Sequence, residues 1–117
     1  MASTSDDRQA LIYQSYKEAF ERRSADLMAA TSADEARDVM ANISALEASW
    51  LEAANDALEA NGPAIEGAYA AAVAAKKTVD DAYAANQALT ARIAAVGDLA
   101  GKVGDLVTAA SGKGAAA

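Results

Sequence analysis

Alanine runs through this sequence from end to end, in stretches such as Ala70-Ala71-Ala72 and Ala74-Ala75, and it dictates both the type of element and the size of the core. It is the best helix former, and Leu, Glu, Gln, Lys and Arg, which follow it closely, supply much of the rest. It also brings almost no side chain to bury. The apolar fraction is 53%, yet 35 of those residues are alanine and only 27 are larger. Leu, Ile, Val and Phe number 19 of 117, and with a net charge of −7 that composition borders on that of disordered chains. Helical propensity tips the balance, and the sequence predicts an all-α, single-domain protein with a thin core.

Several chemistries are closed to such a chain. It has no Cys and no His, which removes disulfides, thiol nucleophiles, imidazole bases and the usual zinc sites. The opening MASTSDD is polar and acidic, without the basic region and apolar run of a signal peptide. Charge-free stretches such as residues 67–75 are about half the length that crosses a bilayer. The expectation is a cytoplasmic protein with no transmembrane segment, export without a leader being the alternative.

Periodicity places the helices. Residues 1–5 read as a flexible tail, with Ser3, Thr4 or Ser5 available as a cap and Asp6 and Asp7 suited to a helix start. Ile12, Tyr16, Phe20 and Leu27 then fall at helical intervals. Ser32 and Glu35 have capping-box spacing, so one helix ends near Ala30 and another starts near Ala33. The second stripe is the clearest: Ala36, Val39, Met40, Ile43, Leu46, Trp50, Ala53, Ala57 and Leu58. Asn61-Gly62-Pro63 stops it, with Gly62 read as the left-handed C-terminal residue and Pro63 as the first turn of the next helix. A third stripe follows through Ile65, Tyr69, Ala72, Val73, Lys76, Val79 and Tyr83, then Leu89 or Thr90, and Ile93. One helix over residues 63–110 would run about 72 Å, against about 42 Å for the second, so a break is expected, at Gly97 rather than at Asn86-Gln87. Residues 6–110 therefore read as one antiparallel helical bundle, three long helices plus a shorter C-terminal one, with 111–117 a flexible tail. The alternative is a helical hairpin that completes its core by dimerising.

Charge is uneven. Residues 24–66 hold nine acids against Arg37 alone. Glu52, Asp56, Glu59 and Glu66 follow helical steps and form either a solvated face or an acidic docking face for a basic partner. Nucleic acid is not an expected partner, because only Lys76-Lys77 and Arg22-Arg23 cluster. Acid pairs such as Glu18 with Glu21 lie outside the apolar stripes, and a di-iron bundle would need Glu-x-x-His. GDLAGKV at 97–103 has three residues between its glycines where a phosphate loop has four, and Val103 stands where that loop needs Ser or Thr. Gly97 and Gly101 have the spacing of membrane helix dimers, but Asp98, Lys102 and Asp105 exclude a lipid-spanning segment. No metal, cofactor or small-molecule substrate is expected.

Tyr16, Trp50, Tyr69 and Tyr83 fall on apolar stripes and are expected to pack on the core, with Tyr13 outside it. The Trp-x-Gly turn of small leaderless secreted helical hairpins is missing, since Leu51 and Glu52 follow Trp50. In residues 96–107, Val96, Leu99, Val103, Leu106 and Val107 share one face, and Gly97, Gly101 and Gly104 are expected on the water-facing side. Three glycines weaken this helix, so residues 97–110 are the expected detachable element and partner-binding face.

The functional expectation is a non-enzymatic helical interaction protein, acting by self-association as a homo-oligomer or by binding a partner protein. The alternatives are an amphipathic alanine-rich protein adsorbing to a lipid or hydrophobic surface, and a small leaderless secreted protein. In composition the chain resembles the alanine-rich helical proteins that coat polyester granules, a likeness that covers no motif. Far-ultraviolet circular dichroism should show well over half the residues helical, lost in one cooperative thermal transition; a coil spectrum at 20 °C would contradict the bundle.

Overall fold

A computed structural model describes residues 2–111. All regular structure among them is helical: α1 Ser5–Glu21, α2 Arg23–Ala29, α3 Ala33–Asn55, α4 Pro63–Ala84 and α5 Leu89–Ala110. The helices pack on one another in a body of 43 × 24 × 21 Å. Most of the apolar stripe residues are buried within one chain, with Phe20, Met40 and Val73 exposed. Met1 and residues 112–117 lie outside the described residues, and with them most of the tail expected over 111–117.

The starts follow the capping chemistry in the sequence. Thr4 caps α1, its hydroxyl accepting from the Asp7 N–H at 3.1 Å while the Asp7 carboxylate accepts from the Thr4 N–H at 2.9 Å. Ser32 caps α3 through the Glu35 N–H at 3.1 Å. The Glu35 carboxylate turns back to the N–H and hydroxyl of Thr31 rather than to Ser32. Pro63 opens α4, where a missing N–H costs no helical bond.

The break after Pro63 falls at Asn86 and not at Gly97. Asn86 takes φ 51°, its N–H bonding the Tyr83 carbonyl and the next N–H, that of Gln87, bonding Ala82. This pair of bonds is a Schellman closure, which asparagine tolerates nearly as well as glycine. Gly97 stays inside α5, because Val96, Leu99, Val103 and Leu106 form one unbroken buried stripe across it. The terminal helix is thus as long as α4, and the expected three long helices plus a shorter one is corrected to five helices, α2 continuing α1 beyond an irregular residue, Arg22.

The second correction lies in the α3–α4 connection. The α3 helix stops at Asn55, and Gly62 (φ 144°) precedes α4 rather than ending α3. The left-handed residue near the end of α3 is Leu58 (φ 53°), a conformation that costs a branched side chain energy. Its side chain is buried in the core, which offsets the strain.

Arg8 holds this connection. Its guanidinium is 1% exposed and spreads over Ser3 Oγ and O (3.0 Å each), Leu58 O (2.7 Å), Ala60 O (2.9 Å), Asn61 Oδ1 (3.4 Å) and Glu66 Oε2 (3.1 Å). Five fixed N–H donors make arginine suited to collecting carbonyls this way. Gln9 adds bonds to the Ala53 and Asp56 carbonyls, and the Ala60 N–H reaches Ala110 O at the end of α5. Ser3, expected in a tail, is buried here.

The core itself is centred on α5, which packs most extensively on α4, then on α3, and touches α1. The face that α4 offers is largely alanine, Ala72, Ala75 and Ala82 between Ile65 and Val79. Beyond Arg8, the buried positions on α1 are Leu11, Ile12, Ser15 and Ala19, so Phe20, expected in the stripe, turns outward.

Two measurements follow from these contacts. A methyl at Gly101 meets open space, whereas at Gly97 it meets Asn42 Oδ1 at 3.4 Å and at Gly104 it meets Ser49 Oγ at 3.9 Å, so only Gly101 fully faces water as expected. The Asn42 amide is also fixed by its bond to Ile93 O at 3.0 Å. Gly101→Ala should raise stability to urea by about 0.5–1 kcal/mol, and Gly97→Ala by clearly less. The second concerns Glu66. Its carboxyl lies below its ordinary 4.5, chiefly through the Ser3 N–H, against the opposing effect of burial, with the Ser3 hydroxyl and Arg8 adding to the lowering. A lowered folded-state pKa gives stability that is present above the ordinary value and lost as pH falls through the folded one. The stability difference between the parent and Glu66→Gln should therefore shrink as pH falls below 4.5.

Candidate functional site

Buried ionisable groups come first as sites of chemistry. Asp26 on α2 is buried and accepts a hydrogen bond from the Tyr83 hydroxyl. Arg92 Nη1 pairs with Asp26 Oδ1 at 3.3 Å, and neither that oxygen nor Arg92 Nε has a hydrogen-bond partner among the described residues. Arg22 and Arg92 stack on the Tyr83 ring at 4.1 and 5.1 Å. Burial, then the bond to Asp26, hold the Tyr83 hydroxyl well above its ordinary 10.0. The adjoining cavity, between Asp26, Asn42, Tyr83 and Ile93, measures about 10 Å³, the size of one water. Nothing larger than a water fits beside these groups, and the cluster ties α2 to α4 and α5.

A wider groove of about 620 Å³ opens between the start of α4 and the end of α5, lined by Pro63, Ile65, Asp105 and Thr108 among others. Asp105 is its one ionisable group, without the paired nucleophile and base that catalysis needs. The described chain stops at Ser111, close to this wall, so the volume is that of the described residues alone. Among the described residues no three acids gather to hold a metal ion, and no helix is long and apolar enough to cross a membrane.

The residues singled out from sequence are distributed as follows. Val96, Leu99, Val103, Leu106 and Val107 are all buried in the core cluster, docked on their own bundle. Glu52, Asp56, Glu59 and Glu66 do not form one helical face. Because α3 ends at Asn55, Asp56 and Glu59 lie in the connection and Glu66 on α4, where it is engaged with Ser3 and Arg8. The basic pairs are committed too: Lys76 to Glu18 and Asp80, Lys77 to Asp81, Arg22 to Asp80.

What the sequence reading missed is an aromatic seam on the outer side of the α1–α3 contact. Gln9, Tyr13, Tyr16 and Phe20 advance by four, three and four along α1, facing α3. Trp50 of α3 stacks on Tyr16 with centroids 5.2 Å apart and planes at 12°, and Tyr13 lies 5.9 Å from it. Phe20 continues the row 6.0 Å from Tyr16, with Arg23 4.6 Å over its ring. The Tyr16 hydroxyl donates to Glu47, which fixes that ring. Tyr13 is 41% and Phe20 45% exposed, and Leu51 and Met40 extend the apolar surface along α3. Among the described residues six large apolar side chains are exposed, and of these Met28 lies on α2 and Val73 on α4. The signal was present, since two sets of α1 residues share helical spacing, but the larger rings drew the stripe away from the small residues that enter the core.

Such a surface suits contact rather than bond chemistry, since tyrosine and tryptophan rings present rigid area with a polar tip and dominate protein interfaces. No protein-family model, curated protein or solved structure matches this chain.

Proposed function

We propose that this chain is a non-enzymatic interaction module that binds a partner protein through the outer α1–α3 seam. The observation that carries the reading is the placement of Tyr13, Tyr16, Phe20 and Trp50: four of the six aromatic residues form one contiguous row, in which Tyr16 and Trp50 also pack against the core and Tyr13 and Phe20 are exposed. Grouped exposed apolar side chains mark contact sites, whereas scattered ones are ordinary. Packed neighbours in this reading run antiparallel, joined by short connections, and α5 is the internal support that holds α1 and α3 at fixed spacing. A contact through the buried stripe of α5 would first require that helix to leave, exposing Leu99, Val103, Leu106 and Val107 together. The seam needs no such opening.

Self-association is the weaker form of the reading. Each copy carries −7, so two copies repel one another. A photo-reactive phenylalanine at position 13, with one at position 73 as control, tests the reading in the native cell. The expected result is a discrete heteromeric adduct from position 13 and none from position 73. Equal adducts from both positions, or none from either, would contradict it; a dimer adduct would show self-association.

A further inference from the structure

We infer that Asn61 is a site of spontaneous covalent modification, at which the chain closes a succinimide and reopens as aspartate or isoaspartate. The reaction begins when the backbone nitrogen of the following residue adds to the asparagine Cγ. Asn61 is the one asparagine followed by glycine, and it is exposed in the α3–α4 connection. The four asparagines differ in the state of that following N–H. After Asn42 it belongs to Ile43, inside α3 and committed to the helix. After Asn55 the Asp56 N–H bonds Glu52 O at 3.0 Å, and after Asn86 the Gln87 N–H bonds Ala82 O at 3.0 Å. The Gly62 N–H has no partner among the described residues. Nothing lies within 4 Å of the place where a side chain at Gly62 would start, so the nitrogen is open to approach. Gly62 also sits at φ 144°, which glycine adopts freely and other residues only under strain. The turn therefore requires the very residue that makes Asn61 labile.

Arg8 supplies the second element. Its Nη2 lies 3.4 Å from Asn61 Oδ1, the oxygen on which negative charge develops as the Gly62 nitrogen adds. A fixed cationic donor at such an oxygen lowers the barrier to addition. The leaving nitrogen, Asn61 Nδ2, donates to Glu59 O at 3.0 Å. In the first step the Gly62 nitrogen loses its proton to solvent and bonds Cγ, and Nδ2 takes up a proton and departs as ammonia. Water then opens the ring. Breaking the Cγ–N bond gives aspartate, and breaking the bond to the backbone carbonyl carbon gives isoaspartate. One water is consumed, one ammonia is released, and nothing is oxidised or reduced. Direct reopening leaves a carboxylate facing Arg8, which already holds Glu66. Isoaspartate instead adds a methylene to the main chain beside the Leu58 and Ala60 carbonyls that Arg8 gathers.

Peptide mapping by mass spectrometry tests this on the full chain, kept folded in mildly alkaline buffer. A gain of one dalton should appear at Asn61, with isoaspartate among the products, while Asn42, Asn55 and Asn86 stay intact. The folded chain should convert at a rate within about tenfold of the same chain in urea, where the turn and Arg8 no longer act. Asn61→Gln, whose longer side chain closes a less favourable ring, should lose the gain at that position. Slowing by more than about tenfold in the folded chain would show that the turn protects Asn61, and would overturn the inference. Equal conversion at the other three asparagines, or aspartate without isoaspartate, would overturn it as well.

Discussion

Scarcity of large aliphatic side chains governs this molecule. Of the 18 Leu, Ile and Val residues, seven lie in α5 between Leu89 and Val107. Concentrating them in one helix lets the others pack around it with small residues, and α4 contributes mostly alanine to that contact. Between α1 and α3, Tyr16 and Trp50 stack half-buried against the core, and Tyr13 and Phe20 stay exposed beside them.

A core of this kind needs other ties, and polar bonds supply them. Arg8 is buried at a desolvation cost, and it is stable there because at least six acceptors surround it and Glu66 balances its charge. It closes the N-terminal segment, the α3–α4 connection and the start of α4 around one guanidinium. At the other end of the body, Asp26, Tyr83, Arg92 and Arg22 join α2 to the turn between α4 and α5. The packed helices are held at both ends by charged or hydroxyl groups and between them by aliphatics.

Much of the fold was legible in the sequence. The helical class, the Thr4 and Ser32 caps, the break near Thr31 and the Pro63 start all rest on local chemistry, which a sequence displays directly. Asn86 was underrated because its left-handed closure competes on paper with three glycines, and only the continuity of the Val96 to Leu106 stripe decides between them. Arg8 was not legible: its acceptors come from Leu58, Ala60 and Asn61, fifty or more residues away, and no spacing rule links them. The same limit applies to the seam. Tyr13 was read correctly as exposed and Trp50 as packed on the core, yet Phe20 was placed by spacing on a stripe whose inward direction is a tertiary quantity. The Glu52 to Glu66 face dissolved because three of its members lie beyond the end of α3.

The central claim is that the aromatic seam is surplus to the fold. Equilibrium denaturation of the double variant Tyr13→Ser/Phe20→Ser tests it most directly, with Leu106→Ala as the reference for a core position. Leu106 is wholly buried, and its truncation should cost about 2–5 kcal/mol. The double variant should cost no more than about 1–2 kcal/mol, the worth of the ring pairs it breaks. A loss equal to or above that of Leu106→Ala would make the seam part of the core and remove the basis for its role in binding.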